Sequence, residues 1–157
     1  DESQAGGLGV VENKMLETPL VTSVTHDPQT VVIKLKNVEL GSKFLAGLFD
    51  QLAEKGIVID IITQSKEESS QQIAFSLPEE DLPQAELLLK KFLSGSEKVE
   101  VIREMAKLSV VGVGMKNHPG VASRFFKALN QSEVEIHLVT TSDIKISAVI
   151  AKKELQR

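Results

Sequence analysis

The chain has 157 residues, 18 basic and 22 acidic side chains, a formal charge of −4, and no Cys, Trp or Tyr. Its length fits one ordinary domain or two very small ones, and its composition is that of a folded globular chain. The acidic balance argues against a nucleic-acid surface, the missing cysteines exclude disulfides and thiolate chemistry, and no apolar run of about 18 residues predicts a membrane span. Asp1-Glu2-Ser3 is the wrong flank for a signal peptide, so a cytoplasmic location is expected. A start at Asp1 without Met is read as a fragment or processed chain of a longer parent.

Taken in order, residues 1–16, with Gly6, Gly7 and Gly9, read as a linker. Leu20-Val21-Thr22-Ser23-Val24 after Pro19 is strand-like, and Val31-Val32-Ile33-Lys34-Leu35 is a second β-branched run. Phe44, Leu45, Leu48, Phe49 and Leu52 fall on one face of a helix. Ile57 to Thr63 and Gln71 to Leu77 predict two more strands. Asp81 and Pro83 then open a helix carrying Leu82, Ala85, Leu88, Leu89, Phe92 and Leu93 on one side, ended by Gly95. Strands at Val99 to Met105 and Leu108 to Val111 follow, then a helix with Val121, Ala122, Phe125, Phe126 and Leu129 on one face, then strands at Val134 to Thr140 and Ile144 to Ala151.

The chain repeats itself. Thr30 to Ser65 aligns without a gap on Lys107 to Ser142 at an offset of 77, Phe49 falling on Phe126. Each copy predicts an α+β unit of order βαββαβ, an antiparallel sheet with both helices on one face, as in ferredoxin-like folds. The second copy stops short after Ala151, which would leave a sheet edge exposed. The strand-like segment before the first copy is expected to complete it. The predicted units are therefore interleaved, residues 30–105 forming the first and 17–29 plus 106–157 the second.

No catalytic constellation emerges. Gly6-Gly7-Leu8-Gly9 lacks the Lys-Ser/Thr and the strand-to-helix setting of a phosphate loop. His26, His118 and His137 have no partner at metal-ligand spacing, and Ser123 has no nucleophile elbow. Glu79-Glu80-Asp81 at a helix start complement its dipole. The candidate site is the turn from first strand to first helix in each unit, Gly114-Met115-Lys116-Asn117-His118-Pro119-Gly120-Val121-Ala122 in the second. Glycines there allow close backbone approach, and N–H groups at a helix start can hold a carboxylate. The same residues also suit a purely structural Pro-Gly turn.

Three segments carry a resemblance: Lys107-Leu108-Ser109-Val110-Val111-Gly112-Val113-Gly114-Met115, then His118-Pro119-Gly120-Val121-Ala122, then Thr140-Thr141-Ser142-Asp143-Ile144-Lys145-Ile146-Ser147. Together they resemble the second ACT unit of aspartate kinases, and the likeness covers about residues 15–151. It implies a tandem ACT regulatory region or separate regulatory subunit mediating feedback inhibition by lysine, threonine or both. The resemblance further implies a homodimer through ACT units, and a kinase domain or subunit elsewhere that binds aspartate, ATP and magnesium. The chain itself is expected to hold no catalytic site, metal or cofactor, and to bind no nucleic acid or membrane.

In the first unit the likeness places effector contacts at Val38, Glu39, Leu40, Gly41, Ser42, Phe44, Leu45, Asp60 and Gln64. In the second it places them at Met115, Asn117, His118, Pro119, Gly120, Val121, Ala122, Glu135, Ile136, Thr141, Ser142 and Asp143. Asp60 matches a carboxylate of lysine-sensitive kinases, though it also suits an exposed strand position, and Gln64 matches a Gln of the threonine-sensitive type. Lys43 stands where the lysine-sensitive type usually has Gly. Two alternatives remain: a structural dimerisation module, or an ACT sensor serving a different enzyme.

Overall fold

The computed structural model describes residues 8–16, 23–112 and 119–156. Its helices are α1 (Leu8–Leu16), α2 (Ser42–Glu54), α3 (Leu82–Phe92) and α4 (Gly120–Gln131). Its strands are β1 (Ser23–Lys36), β2 (Ile62–Lys66), β3 (Gln71–Pro78), β4 (Lys98–Val111), β5 (Ile136–Thr141) and β6 (Lys145–Ala151). Two compact units result, a central one of Gln29–Arg103 and a split one of Asp1–Pro28 with Glu104–Arg157. Strands β1 and β4 each give one part to either unit. Glu104, where β4 passes from one unit to the other, has φ 58°. That left-handed residue is a local irregularity within β4, and the two strands expected separately, Val99 to Met105 and Leu108 to Val111, are one continuous strand. Among the described residues no helix is long and apolar enough to cross a membrane.

In the central unit the strand order is β2-β3-β1-β4, with β3 antiparallel to both β1 and β2. Period-2 alternation sends Val31, Ile33 and Leu35 of β1 to one face, where they meet Ile73, Phe75 and Leu77 of β3. Helices α2 and α3 cover that face with Leu48, Leu52, Leu82, Ala85, Leu88 and Leu89. A Cβ at Gly47 would stand 3.3 Å from the Phe92 ring, so the small residue sets how closely the two helices approach.

The split unit repeats the scheme with the order β1-β4-β6-β5. Helix α4 packs Val121, Phe125, Ala128 and Leu129 on Leu108, Val110, Ile146, Ala148 and Ile150. The unit's missing last strand is the first part of β1, from Ser23; Leu20, Val21 and Thr22 of the segment expected there lie outside the described residues. Its second helix is α1, whose Val11 and Met15 are 1% and 0% exposed in the same core. The expectation of a linker over residues 1–16 is thus corrected over Leu8–Leu16. Gly9, at a cost of up to about 1 kcal/mol in a helix, disguises the segment, and among the side chains described Val11 and Met15 at i,i+4 are its buried apolar pair.

Helices α2 and α4 end alike. Gly56 N–H donates to Ala53 O at 2.9 Å and Ile57 N–H to Leu52 O at 3.0 Å; 77 residues on, Glu133 N–H donates to Asn130 O at 3.0 Å and Val134 N–H to Leu129 O at 3.2 Å. This left-handed cap suits glycine, yet Glu133 adopts it at φ 53° where Gly56 has 73°. Glu133→Gly is expected to stabilise the chain by about 0.5–1 kcal/mol, and Gly56→Ala to destabilise it by about 1 kcal/mol. Urea midpoints of the two variants check the pair.

Candidate functional site

In the central unit the turn between β1 and α2 is fastened from β3. Val38 N–H donates to the Gln71 carbonyl at 3.2 Å, and Leu40 N–H to Gln71 Oε1 at 2.7 Å. Gly41 N–H donates to Glu39 O at 3.0 Å, and Leu45 N–H closes the first helical bond on Gly41 O at 3.0 Å. The amides of Ser42, Lys43 and Phe44 have no acceptor inside α2, because a helix start offers none. Gly41, the N-cap, has no side chain to supply one. Its φ of −118° is ordinary, and a Cβ there would meet nothing within 4 Å. The corner is therefore an open patch of backbone donors at the positive end of a helix, which can accept a carboxylate.

The side chains predicted around this corner divide. Val38 is buried in the core, and Leu40, Phe44 and Leu45 pack against it from partly exposed positions, while Glu39 and Ser42 are exposed. Val38 and Leu40 have spent their N–H groups on Gln71. Gln64 is exposed on β2, paired across from Ile73.

Asp60 is held by a bulge. Its N–H donates to Ser76 O at 3.1 Å, Ser76 N–H returns to Ile61 O at 2.9 Å, and Ile61 N–H is taken by Ser76 Oγ at 3.0 Å. Two residues thus oppose one, an arrangement that re-aims a side chain. The expected strand from Ile57 begins later for this reason, as β2 at Ile62. Ser76→Ala would strand the buried Ile61 N–H at a cost of about 1–3 kcal/mol, measurable in urea.

In the split unit, Met115, Asn117 and His118 lie outside the described residues. Pro119 is the N-cap of α4 and Gly120 its first residue, again with nothing within 4 Å of a Cβ. Val121 is 3% exposed and spent on the core, with Ala122 packed against it. Ser142 N–H donates to Lys145 O at 2.7 Å, and Gly112 N–H to Ile144 O at 2.8 Å. Thr141 closes β5 and Ser142 and Asp143 form the turn that follows, all three exposed, at the end where β4 leads toward α4. Glu135 and Ile136 lie at the other end, Ile136 pairing with Ile150 beside a register shift.

The comparisons with known proteins agree on one family. An ACT domain model matches residues 108–157. Aspartokinase 2 of Bacillus subtilis is 33% identical over 156 residues, 98% of this chain and 38% of that protein. The regulatory subunit of aspartate kinase from Thermus thermophilus, solved in a ligand-free form, is 30% identical with a TM-score of 0.80, over 87% of this chain and 92% of that one. This chain belongs to the ACT-domain regulatory family of aspartate kinases. Aspartokinase III of E. coli, solved with lysine and aspartate, has a TM-score of 0.67 over 88% of this chain and 31% of that one; at 23% identity it shows the fold alone. The chain spans little more than a third of the length of the curated relatives, 38% of the Bacillus subtilis protein and 35% of the Helicobacter pylori one.

Within the central ACT unit, the corner and Asp60 do not share an end of the sheet. Gln71 holds the corner and Ser76 holds Asp60, and the five residue steps along β3 from one to the other span roughly 17 Å at ~3.4 Å each. A groove of about 470 Å³ between α3 and β4, lined by Leu89, Leu93, Val99 and Val101 among others, contains none of the predicted residues. Gln71 and Ser76, which fix the two segments, stand out in no motif. Their roles depend on partners 31 and 15 positions away in sequence.

Proposed function

We propose that this chain is the effector-binding region of an aspartate kinase and that it binds free lysine or threonine in the seam between ACT units of two copies. The carboxylate would rest on the N–H groups at the start of α2. The ammonium groups would meet strand carbonyls and Asp60. One observation carries this reading: the roughly 17 Å along β3 between the corner and Asp60 is too long for one free amino acid to bridge within one unit. Two units related by a two-fold axis would bring the corner of one copy to the Asp60 of the other, twice per dimer. The exposed Ile62, half accessible on edge strand β2, supports pairing along that side.

Asp60 favours lysine, whose second ammonium needs a carboxylate; the E. coli relative solved with lysine has the same fold. Inhibition of a distant kinase would follow if the effector binds one arrangement of the regulatory dimer more tightly than another. The kinase part of the parent protein would hold aspartate, ATP and magnesium. Calorimetry with lysine and threonine, separately and together, tests the reading. Heat and a raised melting temperature with either are expected, and a structural dimerisation module would give neither.

A further inference from the structure

We infer that Gln71 is a positioning residue of the central corner, fixing the peptide before α2 so that the helix amides meet an amino-acid carboxylate already oriented. The inference rests on the reading of that corner as an effector site. Leu40 N–H donates to Gln71 Oε1 at 2.7 Å across 31 positions of sequence, and Val38 N–H donates to the Gln71 carbonyl at 3.2 Å. A peptide N–H can only donate, so the facing atom is the carboxamide oxygen and the orientation of the amide is determined. With Gly41 N–H on Glu39 O, the turn donors of Val38, Leu40 and Gly41 are all engaged in holding the turn itself. The amides left to a ligand are those of Ser42, Lys43 and Phe44.

Such a clamp matters because the turn begins at Asn37, whose φ of 59° is a left-handed conformation that needs holding. A donor set fixed before the ligand arrives binds more tightly than one that must be ordered on arrival. The matching corner of the split unit, residues 113–118, lies outside the described residues, and the inference is made for the central unit alone.

The test compares wild type with Gln71→Met, which keeps the length and removes the oxygen, and Gln71→Glu, which keeps an acceptor. Hydrogen exchange at the Leu40 amide and calorimetry with lysine and threonine are the readouts. Gln71→Met should lose protection at Leu40 and weaken effector binding about tenfold or more, with the ligand-free melting temperature lowered by only a few degrees because the part-buried Leu40 N–H can turn to water; Gln71→Glu should keep the protection. Should Gln71→Met fold poorly, Gln71→Asn, with its oxygen drawn back by one methylene, carries the same expectation. Effector binding by Gln71→Met as tight as wild type, or unchanged Leu40 exchange, overturns the positioning role alone. A wild type that binds neither amino acid overturns the effector site, and the role with it.

Discussion

Replacing Met15 by Asp is expected to unfold the split unit, at a cost of about 4 kcal/mol or more, because a carboxylate would be buried without a partner. Met15 is 0% exposed in a core shared with Phe125, Leu129 and Ile150. A domain holds only about 5–15 kcal/mol in total, so one such change removes much of its margin. Met15→Leu, close in volume, should cost less than about 1.5 kcal/mol. Hydrogen exchange at α4 and β6 in the two variants, with urea unfolding, reads the result. A Met15→Asp chain as stable as wild type would mean that residues 8–16 are the linker that Gly6, Gly7 and Gly9 suggest.

The second large effect is on binding. Gly41→Leu should leave stability within about 1 kcal/mol, since a Cβ there meets nothing within 4 Å and φ is −118°. The new side chain would occupy the space the effector needs, and affinity should fall by about a hundredfold or more, because a ligand and a side chain cannot share that volume. Asp60→Ala should weaken lysine about 10- to 100-fold, the loss of a charge-assisted contact, and threonine much less. Calorimetry on the two variants gives both numbers. Equal losses for the two amino acids in Asp60→Ala would remove Asp60 from the ammonium site.

What could be read from the sequence is what repeats or what is local. The offset of 77 exposed two copies of one unit, and the stripes ending in Leu52 and Leu129 marked α2 and α4 because core packing obeys helical spacing. Helix α1 stayed hidden because Gly9 and a short length outweigh Val11 and Met15 until a core is present to receive them. The bulge at Asp60 and the clamp at Gln71 were invisible for another reason. Each is defined by a partner strand, and no window of neighbouring residues contains both sides. The family likeness groups Asp60 with the corner residues, while the strand register sets Asp60 at the opposite end of the sheet from Gly41. Only the cross-strand hydrogen bonds reveal that separation.

The central claim, that one effector is held by the corner of one copy and the Asp60 of another, is tested most directly by mixing. Gly41→Leu and Asp60→Ala chains, each defective alone, are unfolded together, refolded and titrated with lysine. Random dimers should regain about one quarter of the wild-type sites, since half the dimers are mixed and each mixed dimer has one intact corner facing one intact Asp60. A mixture that binds no more than its two components would place both halves of the site in one chain, and would contradict the account.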